Sequence, residues 1–221
     1  MDSGTTISVV DGDEIQFKGN NSSYSYYDDD EDDYVGNNLL STVDCNVYGN
    51  IMSLTDGDNF ENANTVNDYA FCYLFYDYFE GESFPVVDAK NLILPATTLT
   101  NGCYINMFAG CTSLTTAPSV LPATTLASNC YSSMFYHCTS LTTAPELPAT
   151  TLAKGCYASM FFGCTSLNYI KCLATDISAS NYTNAWVNGV ASSGTFVKNP
   201  NMSSWTTGYN GIPTGWTVQD A

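Results

Sequence analysis

Nine cysteines are the first residues in this 221-residue chain whose type could carry chemistry. Six of them fall into three pairs, Cys103/Cys111, Cys130/Cys138 and Cys156/Cys164, each pair eight residues apart. Structural zinc needs ligands in close pairs such as C-x-x-C, and the chain has none. Eight residues along a helix rise about 12 Å, beyond the Cα separation of about 4.4–6.8 Å that a disulfide spans. Equivalent cysteines on neighbouring packed helices would stand about 8–10 Å apart, again too far. The expectation is a ladder of buried thiols behaving as small hydrophobes, suited to a reducing or anaerobic habitat. His137 is the one histidine, beside Cys138. Adjacent residues on a helix point roughly 100° apart, so the pair does not make a nucleophile–base dyad. No carboxylate pair or glycine-rich phosphate loop replaces it. The sequence predicts no enzyme and no cofactor. Asp28, Asp30 and Asp32 in the acidic run 28–33 could offer oxygens to calcium. The run lacks the glycine and terminal glutamate of an EF-hand loop, so a solvated loop with no metal is expected.

The cysteine spacing belongs to a longer pattern. Starting at Leu94, Leu121 and Leu147, the chain reads LPATTLTNGCYINMFAGCTSLTTAP, LPATTLASNCYSSMFYHCTSLTTAP and LPATTLAKGCYASMFFGCTSLNYIK, at spacings of 27 and then 26 residues. A period of this size marks a solenoid, whose units bury their apolar faces only by stacking. The copies align with one another and separate fixed from free positions. In the second copy Cys130, Tyr131, Met134, Phe135 and Cys138 are fixed, while Ser128-Asn129, Ser132-Ser133 and Tyr136-His137 change. Fixed apolar pairs alternating with free polar pairs predict one buried face of a short helix. The following SLTTAP, rich in threonine and closed by proline, predicts a short strand. Stacked threonines (Thr115-Thr116, Thr142-Thr143) would line the strand side. Each unit is therefore expected to be strand, PATT turn and two or three helical turns.

The combination MF-x-x-C-T-S-L, LPATTL and x-x-C-Y-x-x-MF resembles the BspA-like leucine-rich repeats of bacterial surface proteins. Their usual form is AF-x-x-C-x-x-L-x-x-I-x-x-P. Here methionine replaces the alanine, and Cys-Tyr occupies the preceding turn. The resemblance covers roughly residues 68–172. It implies an α/β leucine-rich-repeat solenoid, with a short parallel strand and a short helix in each repeat. It also implies a non-catalytic, surface-exposed or secreted adhesion module that recognises a protein or glycan on a host or other cell. Similar repeats occur in gut phages, so a tail-associated receptor-binding component of a virion is an alternative, and a structural spacer another. The resemblance brings no catalytic residues.

The remaining segments divide the chain into an acidic β-rich N-terminal segment or cap (1–52), the repeats (53–172, one degenerate copy and three clear ones) and a C-terminal cap (173–221). Residues 6–10 and 14–18 read as two strands joined by Asp11-Gly12-Asp13, and 43–52 as another. Residues 71–75 (FCYLF) match YINMF at 104–108 as the degenerate copy. Residues 178–190 suit a helix and 194–198 a strand, with Trp186 and Trp216 expected to cover the last core layer.

Net charge is −17, and 19 of the 22 acidic residues lie between Asp2 and Asp88. Five scattered lysines and no arginine disfavour phosphate-backbone binding and attraction to anionic membranes. No apolar run approaches about 18 residues, so direct membrane insertion is not expected. The start does not read as a signal peptide. An extracellular or cell-surface location then requires an export signal elsewhere, or a virion, and the chain is expected to be part of a larger protein or assembly. Two surfaces are candidate binding sites. One is the tyrosine-rich stretch with Tyr24, Tyr26, Tyr27 and Tyr34, whose composition resembles that of binding loops. The other is the free outer face of the repeats, with Tyr136, His137 and Phe162.

Overall fold

A strict four-residue beat has a consequence that a helical period of 3.6 cannot accommodate. Over eight residues an α-helix would swing its fixed face by about 80°, whereas residues 130–138 bury Cys130, Tyr131, Met134, Phe135 and Cys138 on one side without drift, each at most 1% exposed. The computed structural model, which describes residues 7–8, 10–20, 25–28, 33–36, 38–39, 41–76, 85–177, 181–202 and 205–221, resolves the conflict by abandoning the helix. Over the turn segment of each repeat every fourth residue is left-handed. These are Gly102, Asn106 and Gly110 in the first copy, Asn129, Ser133 and His137 in the second, and Gly155, Ser159 and Gly163 in the third (φ between 51° and 73°). Such residues cannot continue a right-handed helix. The predicted repeat helices are therefore corrected to chains of linked turns.

The amides show what this conformation achieves. Ile105, Met107, Ala109 and Cys111 donate three residues back, to the carbonyls of Gly102, Tyr104, Asn106 and Phe108 (3.0–3.4 Å). The alternate amides of Tyr104, Asn106, Phe108 and Gly110 donate sideways, to Cys130, Ser132, Met134 and Tyr136 of the next copy (2.7–3.1 Å). An α-helix would consume every interior amide internally. The linked turns leave every second one free to bind the neighbouring coil as in a parallel β-ladder. A substitution distinguishes the two conformations by sign. Ser133, at φ 53°, is expected to gain roughly 0.5–1 kcal/mol on replacement by glycine, because relief of the left-handed strain exceeds the entropic cost. In a helix the same change would lose about 1 kcal/mol. Urea unfolding of Ser133→Gly reads the sign.

In chain order the described residues hold β1 (Ser25–Asp28), β2 (Asp33–Gly36), β3 (Cys45–Asn46), β4 (Gly49–Asn50), a single α-helical turn α1 (Ser53–Asp56), a 3-10 segment (Gly57–Asn62), β5 (Val86–Asp88), β6 (Leu92–Ile93), β7 (Tyr169–Cys172), β8 (Thr195–Lys198) and β9 (Thr217–Asp220). Opposite the turns, the coils meet in parallel pairings. β3 pairs with β5, and β4 with β6. Single bridges join Asp88 to Thr116, Thr98 to Thr125, and Thr143 to Tyr169. β7, β8 and β9 complete a three-stranded parallel sheet. The SLTTAP segments of the first two copies thus touch their neighbours by bridges rather than extended strands.

Side chains at equivalent positions form columns along the stack. Phe71, Tyr104, Tyr131 and Tyr157 follow one another at ring separations of 5.8, 5.7 and 6.2 Å. Phe75, Phe108, Phe135 and Phe161 form a second column at 5.0, 5.5 and 5.8 Å. The hydroxyls of Tyr104 and Tyr131 are buried without a hydrogen-bond partner, a cost the ring packing outweighs. One apolar core runs from Ile51 to Trp216.

Both ends of the stack are closed. At one end the antiparallel β1–β2 pair lies on the degenerate copy, with the Ser25 amide donating to Ala70 O (3.0 Å) and Leu39 N to Leu74 O (2.8 Å). Residues 14–18 are largely exposed and form no strand, a second correction, although Asp11-Gly12 does turn (Asp13 N to Val10 O, 3.0 Å). At the other end the helix expected over 178–190 is a further turn coil over its described residues, left-handed at Asn181, Ala185 and Gly189. Residues 178–180 lie outside the described residues. Trp186 sits inside the stack, fully buried, 6.1 Å from Tyr157, and Trp205 stacks on it at 5.9 Å. Trp186 thus covers the rings of the last repeat at Tyr157 and Phe161, and Trp205 adds a further layer over it.

Candidate functional site

The described cysteines are all free thiols, and all except the half-buried Cys45 are buried. Because coils pair amide to carbonyl at a ladder spacing of about 4.8 Å, the helix–helix distance expected from the sequence does not apply, and spacing alone no longer holds equivalent cysteines beyond disulfide reach. Two of these thiols are engaged as donors. Cys138 Sγ donates to Phe108 O at 3.1 Å and Cys164 Sγ to Phe135 O at 2.9 Å. Burial pushes the thiols of Cys103, Cys156, Cys164 and Cys172 from 9.0 up to about 12. A nucleophilic cysteine needs the opposite shift. Among the described residues no group of three His, Cys, Asp or Glu side chains could hold a metal, and no helix is long and apolar enough to cross a membrane.

His137 does not address Cys138, which turns inward while the imidazole stays exposed. The imidazole instead joins two other sequence candidates. Tyr136 and His137 have ring centres 4.4 Å apart, Tyr136 stacks on Phe162 of the next coil at 5.2 Å and 14°, and His137 lies 5.6 Å from Phe162. The glycine at position 163 makes room for this arrangement, since an added Cβ there would come within 2.8 Å of the imidazole. Three residues from positions that vary between copies thus form one aromatic cluster on the outer face, with Tyr136 37% exposed. Ala109, the equivalent residue of the first copy, is buried.

The tyrosine-rich stretch stands apart, on the capping hairpin two coils away. Tyr26 is 52% exposed, whereas Tyr27 packs its ring 5.8 Å from Tyr69. In register, Tyr27 faces Tyr34 and Asp28 faces Asp33 across the hairpin. Tyr24, Asp30 and Asp32 lie outside the described residues. Among the described members of the two sets, Tyr26, Tyr27 and Asp28 lie on the hairpin and not in the cluster on the outer face.

A feature not singled out in the sequence adjoins that cluster. An open cleft of about 280 Å³ lies between residues 187–192 and 208–214, lined among others by Asn188, Gly189, Ser192, Tyr209 and Thr214. The Gly163 amide donates to Asn188 O at 2.8 Å, and Gly163 and Gly189 are equivalent left-handed positions. Asn188 therefore occupies the place that Phe162 holds one coil earlier. The four-residue beat of 181–189 carried the signal for this equivalence, but the helix reading concealed it.

No family model matches this chain, and no curated protein or solved structure matches it either.

Proposed function

We propose that this protein is a non-catalytic, surface-exposed binding module that recognises a protein or glycan on a cell surface through its outer turn face. The observation that carries this reading is the solvent-facing cluster Tyr136–His137–Phe162, built on the positions that differ from copy to copy. Exposed aromatic side chains on a rigid frame contribute large contact area at small entropic cost. Binding residues on variable positions above an invariant core is also how repeat proteins carry specificity. The BspA-like repeat pattern supports the same reading and an extracellular location. The inert thiols and the solitary histidine favour recognition over catalysis.

Flow cytometry with the labelled chain on intact epithelial and bacterial cells tests it. Saturable binding is expected, lost in the triple variant Tyr136→Ser/His137→Ser/Phe162→Ser. Unsaturable binding, or binding equal in the triple variant, would remove this face from the function.

A further inference from the structure

We infer that the free edge of β9 is a dimerisation surface, on which a second copy of this chain adds its own β9 across a twofold axis. On its far side β7 is bridged to the preceding repeat, Thr143 to Tyr169 and Leu147 to Cys172, and β8 lies between β7 and β9. β9 is thus the edge strand of that sheet. Its pairing with β8 is parallel, with the amides of Thr217 and Ala221 donating to Gly194 O and Lys198 O at 2.9 Å. In such a ladder alternate residues turn their peptide groups to opposite sides, so those of Val218 and Asp220 point away from β8. An edge of this kind is a template for another strand. The usual guards are missing from it. All four residues of β9 are exposed, none is proline or lysine, and the Asp220 carboxylate is already paired with Lys198.

The side chains show the same incompleteness. Ile170, Phe196 and Val218 share one register across the sheet. The first two are fully buried, whereas Val218 is 44% exposed, so a core column ends on a half-open valine. A second β9 supplies its next layer. Charge selects the occupant. Residues 1–88 hold 19 of the 22 acidic residues and one of the five lysines, a net of −18, while residues 89–221 hold three acidic residues and four lysines, a net of +1. Two copies therefore repel each other at the hairpin end and not at this one, which leaves a tail-to-tail contact. A twofold contact is self-complementary. With the two β9 strands antiparallel, the outward peptide groups of Val218 and Asp220 in each copy find partners in the other, and the sheet doubles. The hairpin ends then face away from each other, so the assembly closes as a dimer. It carries the aromatic cluster of the outer face twice, which raises avidity for a surface that displays many ligands.

Sedimentation velocity and small-angle X-ray scattering of the full chain, from micromolar to sub-millimolar concentration, test this. A monomer–dimer equilibrium is expected, with the longest dimension of the dimer approaching twice that of the monomer. Val218→Lys places a charge on the edge and should weaken dimerisation about tenfold or more. Val218→Pro, which removes an outward amide that β8 does not use, should do the same. Val218→Ile keeps an apolar strand former and should retain the dimer. So should Ile93→Lys, a change at a 54%-exposed residue of β6 away from this edge. Near-ultraviolet circular dichroism checks that each variant remains folded. A chain that stays monomeric throughout, whether the edge takes an extended segment of another protein or nothing, would overturn the inference. A dimer equally strong in folded Val218→Lys and Val218→Pro, or one of compact side-by-side shape, would overturn it as well.

Discussion

Raising the pH through 9 is expected to unfold this protein steeply. Eight of its cysteines are buried: Cys72, Cys103, Cys111, Cys130, Cys138, Cys156, Cys164 and Cys172. Their ordinary value is 9.0, and burial raises it to about 12 for Cys103, Cys156, Cys164 and Cys172. Cys72, Cys111, Cys130 and Cys138 are raised as well, again chiefly by burial. Above 9.0 the unfolded chain releases these protons while the folded chain keeps them. The unfolded state then binds fewer protons, so stability falls with rising pH, while below 9.0 the thiols leave it unchanged. Each buried thiol contributes a slope of about 1.4 kcal/mol per pH unit. A domain's whole stability is about 5–15 kcal/mol, so eight thiols acting together exhaust it within one to two units above 9. Circular dichroism and thiolate absorbance, followed from pH 7 to 11 under reducing conditions, should show one coincident transition. A chain still folded at pH 11 with its thiolates already formed would show that the columns are open to water. Cys130→Ala should lower the slope by about 1.4 kcal/mol per pH unit whatever it does to absolute stability.

Truncating the middle of an aromatic column should be the most damaging single change. Phe135 is fully buried between Phe108 at 5.5 Å and Phe161 at 5.8 Å. Phe135→Ala is expected to cost about 3–5 kcal/mol through lost burial and the cavity left behind. In a stack each layer is held by its nearest neighbours, so the loss also weakens the coupling between the two halves and should broaden the urea transition. Tyr136→Ala, one residue along but 37% exposed, should cost less than about 1 kcal/mol. Equal losses at the two positions would contradict the column arrangement.

The error over the repeat helices shows how far periodicity reaches. Cys130, Tyr131, Met134, Phe135 and Cys138 were legible as core because three copies agree on them and the fixed residues share one side. The backbone that presents them was misread. A four-residue beat lies close to the helical period, but Gly102, Asn106 and Gly110 mark left-handed positions at four-residue intervals. Glycine and asparagine tolerate that conformation, so the residue types themselves argue against a helix. Tyr136, His137 and Phe162 were readable as outward-facing. Their meeting was not, because it depends on which coil lies against which.

The sequence by itself therefore determined the repeat, the composition of the buried columns and the placement of the negative charge in the N-terminal part. These follow from residue type and spacing, which are local. The tertiary structure alone decided that alternate amides bridge neighbouring coils and that Tyr136 of one coil stacks on Phe162 of the next. Each of these depends on the register between segments about 25 residues apart or more. Register is set by summed packing and hydrogen bonding across the whole stack, not by any one segment.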